Sequence, residues 1–233
     1  MPSAEGKLSS TRLSEAIIAS GMRPGIRLSD LYEVCRDAVE NGVRSICIPT
    51  AYLDDLSVFL RDTGLKASTI ISFPTGLLPV EIKTIEIKFA FNKDVEEVYF
   101  YPNIGNYLDS RIIEFESELS RVAEESQLIG LNQIKPVVEA ELLSQSQIDE
   151  VIDILKTSGF NTVMISFGFG LRSITPKELS LIESCIGRIM LEVNCRIGSL
   201  EEAEKLIEKR VEKICTIDYR VVFKKGFQQS HFD

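Results

Sequence analysis

The sequence contains no tryptophan and a single histidine, His231. Apart from a contribution by that one residue, this excludes a catalytic triad with histidine as the base and a metal site built from several histidines. No run of about 18 apolar residues exists, so the sequence predicts no membrane span. Residues 1–7 lack the apolar core of a signal peptide, and we therefore expect a protein that is not secreted.

Basic residues are also in the minority, with 26 lysines and arginines against 35 aspartates and glutamates and a net charge of −9. A protein that binds a nucleic-acid backbone needs a basic surface, so we predict no nucleic-acid partner. The cysteines are odd in number and form no Cys-x-x-Cys pair, which favours reduced thiols and a cytoplasmic location. They are Cys35, Cys47, Cys185, Cys195 and Cys215.

What the chain does contain is a regular alternation of short apolar runs with amphipathic helical patterns. The runs are residues 45–48, 67–71, 98–101, 134–138, 162–165, 189–193 and 213–216. Continuous β-branched runs indicate strands that are buried on both faces, and alternation with helices indicates a parallel sheet. Over 233 residues, the short period favours a closed (β/α)8 TIM barrel over an open sheet.

The first strand of such a barrel must lie within about residues 15–22, where a helix fits nearly as well. Two helix starts are clearer, because Thr175-Pro176 with Glu178 and Ser199 with Glu202 both form the pattern of a capping box. We predict one domain, with an N-terminal extension at 1–14, the barrel at 15–223 and a polar tail at 224–233.

The short residue motifs at the strand ends resemble those of one known family. Residues 46–48, 71–76, 80–83, 103–105, 135–139 and 168–170 follow one another as in the deoxyribose-phosphate aldolases, from about residue 17 to residue 223. The resemblance implies a class I aldolase barrel without a cofactor. Such enzymes cleave 2-deoxyribose 5-phosphate to glyceraldehyde 3-phosphate and acetaldehyde through a Schiff base on lysine. It also implies a homo-oligomer, or a paralogous aldolase subunit as partner.

The family's catalytic positions carry other residues in this chain. By resemblance, the Schiff-base lysine falls at Met164, the second lysine at Glu192 and the assisting aspartate at Tyr99, while Cys47 and Ser166 belong to the pocket. Methionine has no amine, and a glutamate stabilises the charged form of any lysine beside it. Schiff-base chemistry is therefore not expected at the family's position.

The family's phosphate site has changed as well. Its glycine pair and serine pair fall at Cys195-Arg196 and Ile217-Asp218. Phosphate is normally held by the N–H groups of a glycine-rich turn together with hydroxyl or cationic donors. Gly168, Gly170 and Arg196 remain candidates for binding an anion, whereas Asp218 should repel one.

Lys135 allows two interpretations. Its position on the fifth predicted strand can point into the barrel, so it is the candidate for a relocated Schiff-base lysine. The alternative, which we favour, is a buried ion pair with Glu139 or Glu192. For Cys47 we likewise favour a small buried residue over a nucleophile, because the predicted strands provide no histidine to activate it.

Two further hypotheses concern the barrel mouth. Glu139, Glu192 and Asp218 could form a carboxylate cluster for a hard cation, although their spacing is not diagnostic and we predict no metal site. A mouth plugged by Tyr99, Met164 and Phe167 would favour a non-catalytic role. Our leading hypothesis is a degenerate aldolase-like barrel that acts as a partner, a regulator or the receptor of a small-molecule ligand. The alternative is an active carbon–carbon lyase that uses Lys135 or a metal-assisted site on a small phosphorylated sugar or aldehyde.

Overall fold

The fold is a closed barrel of eight parallel strands in sequential order, with the first strand paired to both the second and the eighth. The computed structural model describes residues 9–223. This architecture confirms the predicted (β/α)8 TIM barrel. The predicted tail at 224–233, with His231, and most of the predicted extension lie outside the described residues. The strands are β1 Ile17–Ser20, β2 Ser45–Cys47, β3 Lys66–Ile71, β4 Glu97–Phe100, β5 Ile134–Glu139, β6 Thr162–Ser166, β7 Met190–Asn194 and β8 Val211–Thr216.

Helices follow the strands around the outside of the barrel. They are α1 Ser10–Ala16, α2 Leu28–Glu40, α3 Leu53–Thr63, α4 Val80–Phe91, α5 Ile104–Leu108, α6 Ile112–Ile129, α7 Gln145–Thr157, α8 Pro176–Cys185, α9 Leu200–Glu208 and α10 Arg220–Phe223. Short 3-10 turns lie at Thr50–Tyr52, Ala140–Leu142 and Gly168–Gly170. Within residues 9–223, every helix is too short or too polar to cross a bilayer.

The ambiguous segment at the start of the chain contains a helix followed directly by a strand. Ser9 caps α1 by accepting a hydrogen bond from the Arg12 N–H, and Leu13 and Ala16 are its buried residues. The β-branched Ile17 and Ile18 then enter β1, where both are fully buried. Helix α1 begins inside the segment predicted as an extension.

Alternation along each strand determines which residues enter the barrel. Ile18 and Cys47 belong to the cluster inside the barrel, whereas their neighbours Ile17 and Ile46 pack in the layer beneath the helices. Because both layers are apolar, the strands read as continuous hydrophobic runs.

The two predicted capping boxes have different outcomes. At α8, the Thr175 side chain accepts from the Glu178 N–H and the Glu178 carboxylate accepts from the Thr175 N–H, so the box is confirmed. At α9, Ser199 accepts from the Glu202 N–H, but the Glu202 carboxylate accepts from Gly198 instead. The prediction of a reciprocal box at Ser199 was therefore wrong.

Candidate functional site

Lys135 lies near the start of β5, at the N-terminal end of the barrel interior. Its Nζ donates to Glu192 Oε1 at 2.7 Å and to Glu97 Oε1 at 2.8 Å, and its side chain is 5% exposed. Lys213 also donates to Glu97 Oε1. The structure thus supports the ion-pair interpretation with Glu192 as one partner. Glu139 is not the other, because it lies four residues further along β5, about 13 Å away at the usual rise per residue.

Lys135, Glu97, Glu192 and Lys213 form an ionic cluster, in which neighbouring opposite charges determine the charge states of Lys135 and Glu97. Burial alone would lower the pKa of Lys135, but Glu192 and Glu97 outweigh it, and the pKa of Lys135 lies above its ordinary value. Burial likewise opposes ionisation of Glu97, yet Lys135 and Lys213 hold the pKa of Glu97 below its ordinary value. Lys135 is therefore held as an ammonium ion, the form that cannot attack a carbonyl group.

Tyr99 lies above this cluster and is fully buried inside the barrel. Its hydroxyl oxygen lies 2.7 Å from Glu192 Oε2 and 2.9 Å from Glu97 Oε2. Burial and these two carboxylates raise the pKa of Tyr99 well above its ordinary value. The residue at the family's aspartate position is thus a neutral hydrogen-bond donor, and it connects the two carboxylates of the ionic cluster.

Met164 occupies the middle of the barrel interior and is fully buried. It belongs to an apolar cluster, and in strand register it lies opposite Val137 on β5 and Glu192 on β7. Cys47 belongs to the same cluster, and a hydrogen bond with Cys215, together with burial, raises the pKa of its thiol well above the ordinary value. Both features agree with Cys47 as a small buried residue rather than a nucleophile.

A polar layer crosses the barrel above the apolar cluster, near the C-terminal ends of the strands. The Tyr101 hydroxyl donates to Ser166 Oγ at 3.2 Å, and Asn194 Nδ2 donates to the same oxygen at 3.3 Å. All three side chains are buried. Active sites of TIM barrels lie at this end of the strands, so Ser166, Tyr101 and Asn194 form the floor of the candidate site.

The turn at Gly168–Gly170 binds a carboxylate of this chain. The N–H groups of Gly168 and Phe169 donate to the Glu139 carboxylate at 2.6 and 3.1 Å. The Gly170 N–H donates to the Phe167 carbonyl instead. Burial raises the pKa of Glu139, although Ser166 and the two N–H groups act in the opposite direction. The predicted anion-binding turn exists, but Glu139 already satisfies its two outward N–H groups.

Arg196, the other predicted anion-binding residue, is also paired within the chain. Its Nε donates to Asp218 Oδ2 at 2.8 Å and its terminal nitrogen to Asp218 Oδ1 at 3.0 Å. This is the two-point geometry with which a guanidinium binds a carboxylate or a phosphate. The sequence predicts that Asp218 repels a phosphate, and the structure shows that Asp218 also neutralises the cation that would attract one.

Two further aromatic rings, those of Phe73 and Phe169, lie beside the Tyr101 ring of the polar floor. The ring centres of Phe73 and Tyr101 are 5.7 Å apart, and Phe169 lies 6.3 Å from each of them. Phe167, one of the three residues whose presence at the mouth would have favoured a non-catalytic role, does not reach the mouth, because it is buried in the layer between strands and helices. Phe169 takes that place, from a left-handed backbone conformation with φ of 55°.

The hypothesis of a carboxylate cluster at the mouth was also wrong. Glu139 binds the glycine turn, Glu192 binds Lys135 and Tyr99, and Asp218 binds Arg196. Across residues 9–223, no three histidine, cysteine or acidic side chains are grouped so that they could hold a metal ion.

Sequence reasoning missed two members of the ionic cluster, Glu97 and Lys213. The sequence could have indicated both, because each is a charged residue at an inward-facing position in the alternation of its strand. Glu97 immediately precedes the run at 98–101, so it appeared to lie outside the strand.

No family model matches the chain. Similarity to individual proteins is clear, however. Deoxyribose-phosphate aldolase of Dictyoglomus turgidum is 27% identical over 205 residues, which cover 88% of this chain and 92% of that protein. The enzyme of the same name from Clostridium perfringens is 25% identical over 204 residues, covering 87% and 90%.

Solved structures show the same fold. The aldolase QR15 superposes with a TM-score of 0.78 at 23% identity, covering 91% of this chain and 93% of the other. Deoxyribose phosphate aldolase from Aeropyrum pernix, described as a tetramer, superposes with a TM-score of 0.80 at 19% identity, covering 92% and 91%. This chain is thus similar to deoxyribose-phosphate aldolases over most of its length and shares their TIM-barrel fold.

Proposed function

We propose that this chain is a divergent member of the deoxyribose-phosphate aldolase family without Schiff-base aldolase activity. Its role would be that of a partner, a regulator or the receptor of a small-molecule ligand. The observation that carries the proposal is the state of its inward-facing lysines. In residues 9–223, those that enter the barrel are Lys135 and Lys213, and both are ion-paired at its N-terminal end.

A Schiff-base lysine needs a neutral amine near the substrate carbonyl. Met164 provides no amine at the family's position. Lys135 has a raised pKa and lies beneath the Tyr99 ring, 5.4 Å from the ring centre to Nζ. Relocation of the chemistry to Lys135 would require a substrate to pass the packed interior and displace two carboxylates. The alternative of an active lyase with Lys135 as nucleophile is therefore the weaker proposal.

Loss of phosphate binding is the second part of the proposal. The turn at Gly168–Gly170 is bound by Glu139, and Arg196 is bound by Asp218. An incoming phosphate would have to displace a carboxylate at each position and would meet its negative charge. We infer that a ligand at the mouth is uncharged. Tyr101, Ser166 and Asn194 would serve it as hydrogen-bonding groups, and Phe73 and Phe169 as apolar contacts.

The experiment is an assay of retro-aldol cleavage with purified protein. We expect no acetaldehyde to be released from 2-deoxyribose 5-phosphate above the uncatalysed rate, while an active deoxyribose-phosphate aldolase releases it under the same conditions. Turnover comparable to that of the active enzyme would refute the proposal. If turnover is found, Lys135→Ala separates the two mechanisms, because full activity in that variant would exclude Lys135 as the nucleophile.

We further propose that the protein functions in the cytoplasm and assembles with copies of itself or with a paralogous aldolase subunit. The five cysteines are free and buried, which suits a reducing compartment. The tetramer described for the Aeropyrum pernix enzyme supports self-assembly of this kind of barrel. Crosslinking in cell extracts, followed by mass spectrometry of the linked species, distinguishes copies of this chain from a second aldolase.

A further inference from the structure

A cavity of about 380 Å³ opens beside the mouth, outside the ring of strands, between the start of helix α4 and helices α5 and α6. None of the residues of the polar floor belongs to its lining. Its walls are apolar and consist of Leu77, Leu78, Pro79, Val80 and Ile113. Leu77 and Ile113 are 63% and 80% exposed, so residues 9–223 leave much of this apolar surface uncovered.

The two carboxylates that line the cavity are already paired within the chain. Glu118, at the back, is buried and accepts a hydrogen bond from Lys83 Nζ at 2.5 Å. Glu114, nearer the opening, accepts from Arg111 Nε at 3.2 Å. A charged ligand would therefore meet no unpaired opposite charge among the lining residues, which favours a neutral ligand.

One polar atom of the lining residues lacks a partner. Asn103 Oδ1 is buried and accepts no hydrogen bond from residues 9–223. The backbone N–H of Asn103 donates to the Glu118 carboxylate at 3.2 Å, which fixes this residue at the back of the cavity. A buried acceptor without a donor is unfavourable, and a donor supplied by a ligand would satisfy it.

We propose that this cavity binds a small neutral ligand that is mostly apolar and carries one hydrogen-bond donor, such as a phenol or an alcohol, with the donor directed to Asn103 Oδ1. Ligand pockets have volumes of about 300 to 1,000 Å³ and combine apolar walls with a few polar groups, as this cavity does. The proposal is independent of the function proposed for the mouth, because the two sites have separate linings.

The cavity is nevertheless connected to the mouth through a buried lysine. Lys83 Nζ donates both to Glu118 and to the Tyr101 carbonyl oxygen, the latter at 2.9 Å. The Tyr101 hydroxyl is part of the polar floor. A ligand in the cavity would thus contact the residues that support this floor from outside.

Phenol and toluene test the polar contact, because they have the same shape and differ in a hydroxyl and a methyl group. Titration of the isotope-labelled full chain, followed by NMR of its backbone N–H groups, measures where and how tightly each probe binds. We expect shifts at Leu78 and Asn103. In Asn103→Leu, phenol affinity should fall about tenfold relative to toluene affinity, since one hydrogen bond is lost. Asn132→Leu, at an exposed site outside the cavity, is the control and should leave this ratio unchanged.

A second pair of variants tests the apolar wall. Ile113→Asp should weaken both probes about fivefold, because it removes apolar contact area. Leu128→Asp is the matched control, since Leu128 lies on the same helix, is 82% exposed and is outside the cavity. The NMR spectra also show that the variants are folded. Absence of shifts at the cavity, an unchanged ratio in Asn103→Leu, or equal effects of Ile113→Asp and Leu128→Asp would each overturn the proposal.

Discussion

The carboxylate of Asp218 binds the guanidinium of Arg196 through two hydrogen bonds of 2.8 and 3.0 Å at the mouth of the barrel. By resemblance, these two residues replace parts of the phosphate site of deoxyribose-phosphate aldolases. The pair has the geometry of an arginine with a bound anion, and the anion is a side chain of the same protein. The positive charge of Arg196 at the mouth is therefore neutralised by a carboxylate of the same chain.

Removing the charge of Asp218 should create an anion site. In Asp218→Asn, Arg196 is no longer neutralised, and we expect inorganic phosphate to bind about tenfold more tightly than to the wild type, the usual contribution of one charge-assisted hydrogen bond. Calorimetric titration measures the change. Asp37→Asn is the matched control, because Asp37 pairs with Arg220 at comparable exposure away from the mouth. Equal phosphate affinity in all three proteins would contradict the interpretation.

Lys135 should be a stabilising residue. Lys135→Met leaves Glu192 without its cation and leaves Glu97 with Lys213 alone. The loss of one partner of a buried ion pair costs about 3 kcal/mol in the free energy of unfolding. Urea denaturation measures the loss. Lys205→Met, in the exposed pair with Glu201, is the control and should have no measurable effect. An unchanged midpoint for Lys135→Met would show that the ionic cluster does not stabilise the barrel.

A side chain at the last position of the turn Gly168–Gly170 should destabilise the protein. Gly170 has φ of +81°, and a Cβ there would lie 2.3 Å from Asn194 Oδ1. Gly187→Ala provides the control, because φ is +83° and no atom lies within 4 Å of the added Cβ.

We expect Gly187→Ala to cost about 1 kcal/mol for the backbone conformation alone. Gly170→Ala should cost about 2 kcal/mol more in urea denaturation, because Asn194 must move away from Ser166. If both variants lose the same free energy of unfolding, Asn194 moves away from the added Cβ without a cost in stability, and the prediction is wrong.

Acid stability should depend on Glu178. Hydrogen bonds from Arg172 lower the pKa of Glu178 to about 2. Burial acts in the opposite direction, and hydrogen bonds from Thr175 lower the pKa further. A carboxyl group whose pKa is lower in the folded state contributes its stability above the unfolded pKa, near 4.3. That contribution is lost as the pH falls towards 2.

The stability of the wild type should thus fall more steeply between pH 4.5 and 2 than that of Glu178→Gln. Unfolding by urea at a series of pH values measures both slopes, with Glu40→Gln at an exposed site as the control. Parallel curves for the wild type and Glu178→Gln would contradict the lowered pKa.

The barrel was predictable because each strand is buried on both faces and therefore appears as a continuous apolar run. Parity along β5 also indicated that Lys135 enters the barrel. The identity of its partners was not predictable to the same extent. Glu97 and Glu192 reach Lys135 from strands that are not both its neighbours, and the stagger of a closed barrel sets such contacts.

The mouth was predicted less well because turns interrupt strand parity. Phe167 continues the alternation of β6 and points outward, into the helix layer. Phe169, two residues later, reaches the mouth because its backbone is left-handed. Likewise, the spacing of Gly168 and Gly170 indicated an anion-binding turn, but no local pattern shows that Glu139, about 30 residues earlier, is the anion.

We propose that no lysine of this barrel forms a Schiff base. The decisive experiment incubates the protein with 2-deoxyribose 5-phosphate, reduces the mixture with borohydride and measures the intact mass of the protein. An active deoxyribose-phosphate aldolase serves as the positive control. We predict an unchanged mass for this chain and a stable adduct for the control. An adduct that peptide mapping assigns to Lys135 or another barrel lysine would show that Schiff-base chemistry persists in this protein.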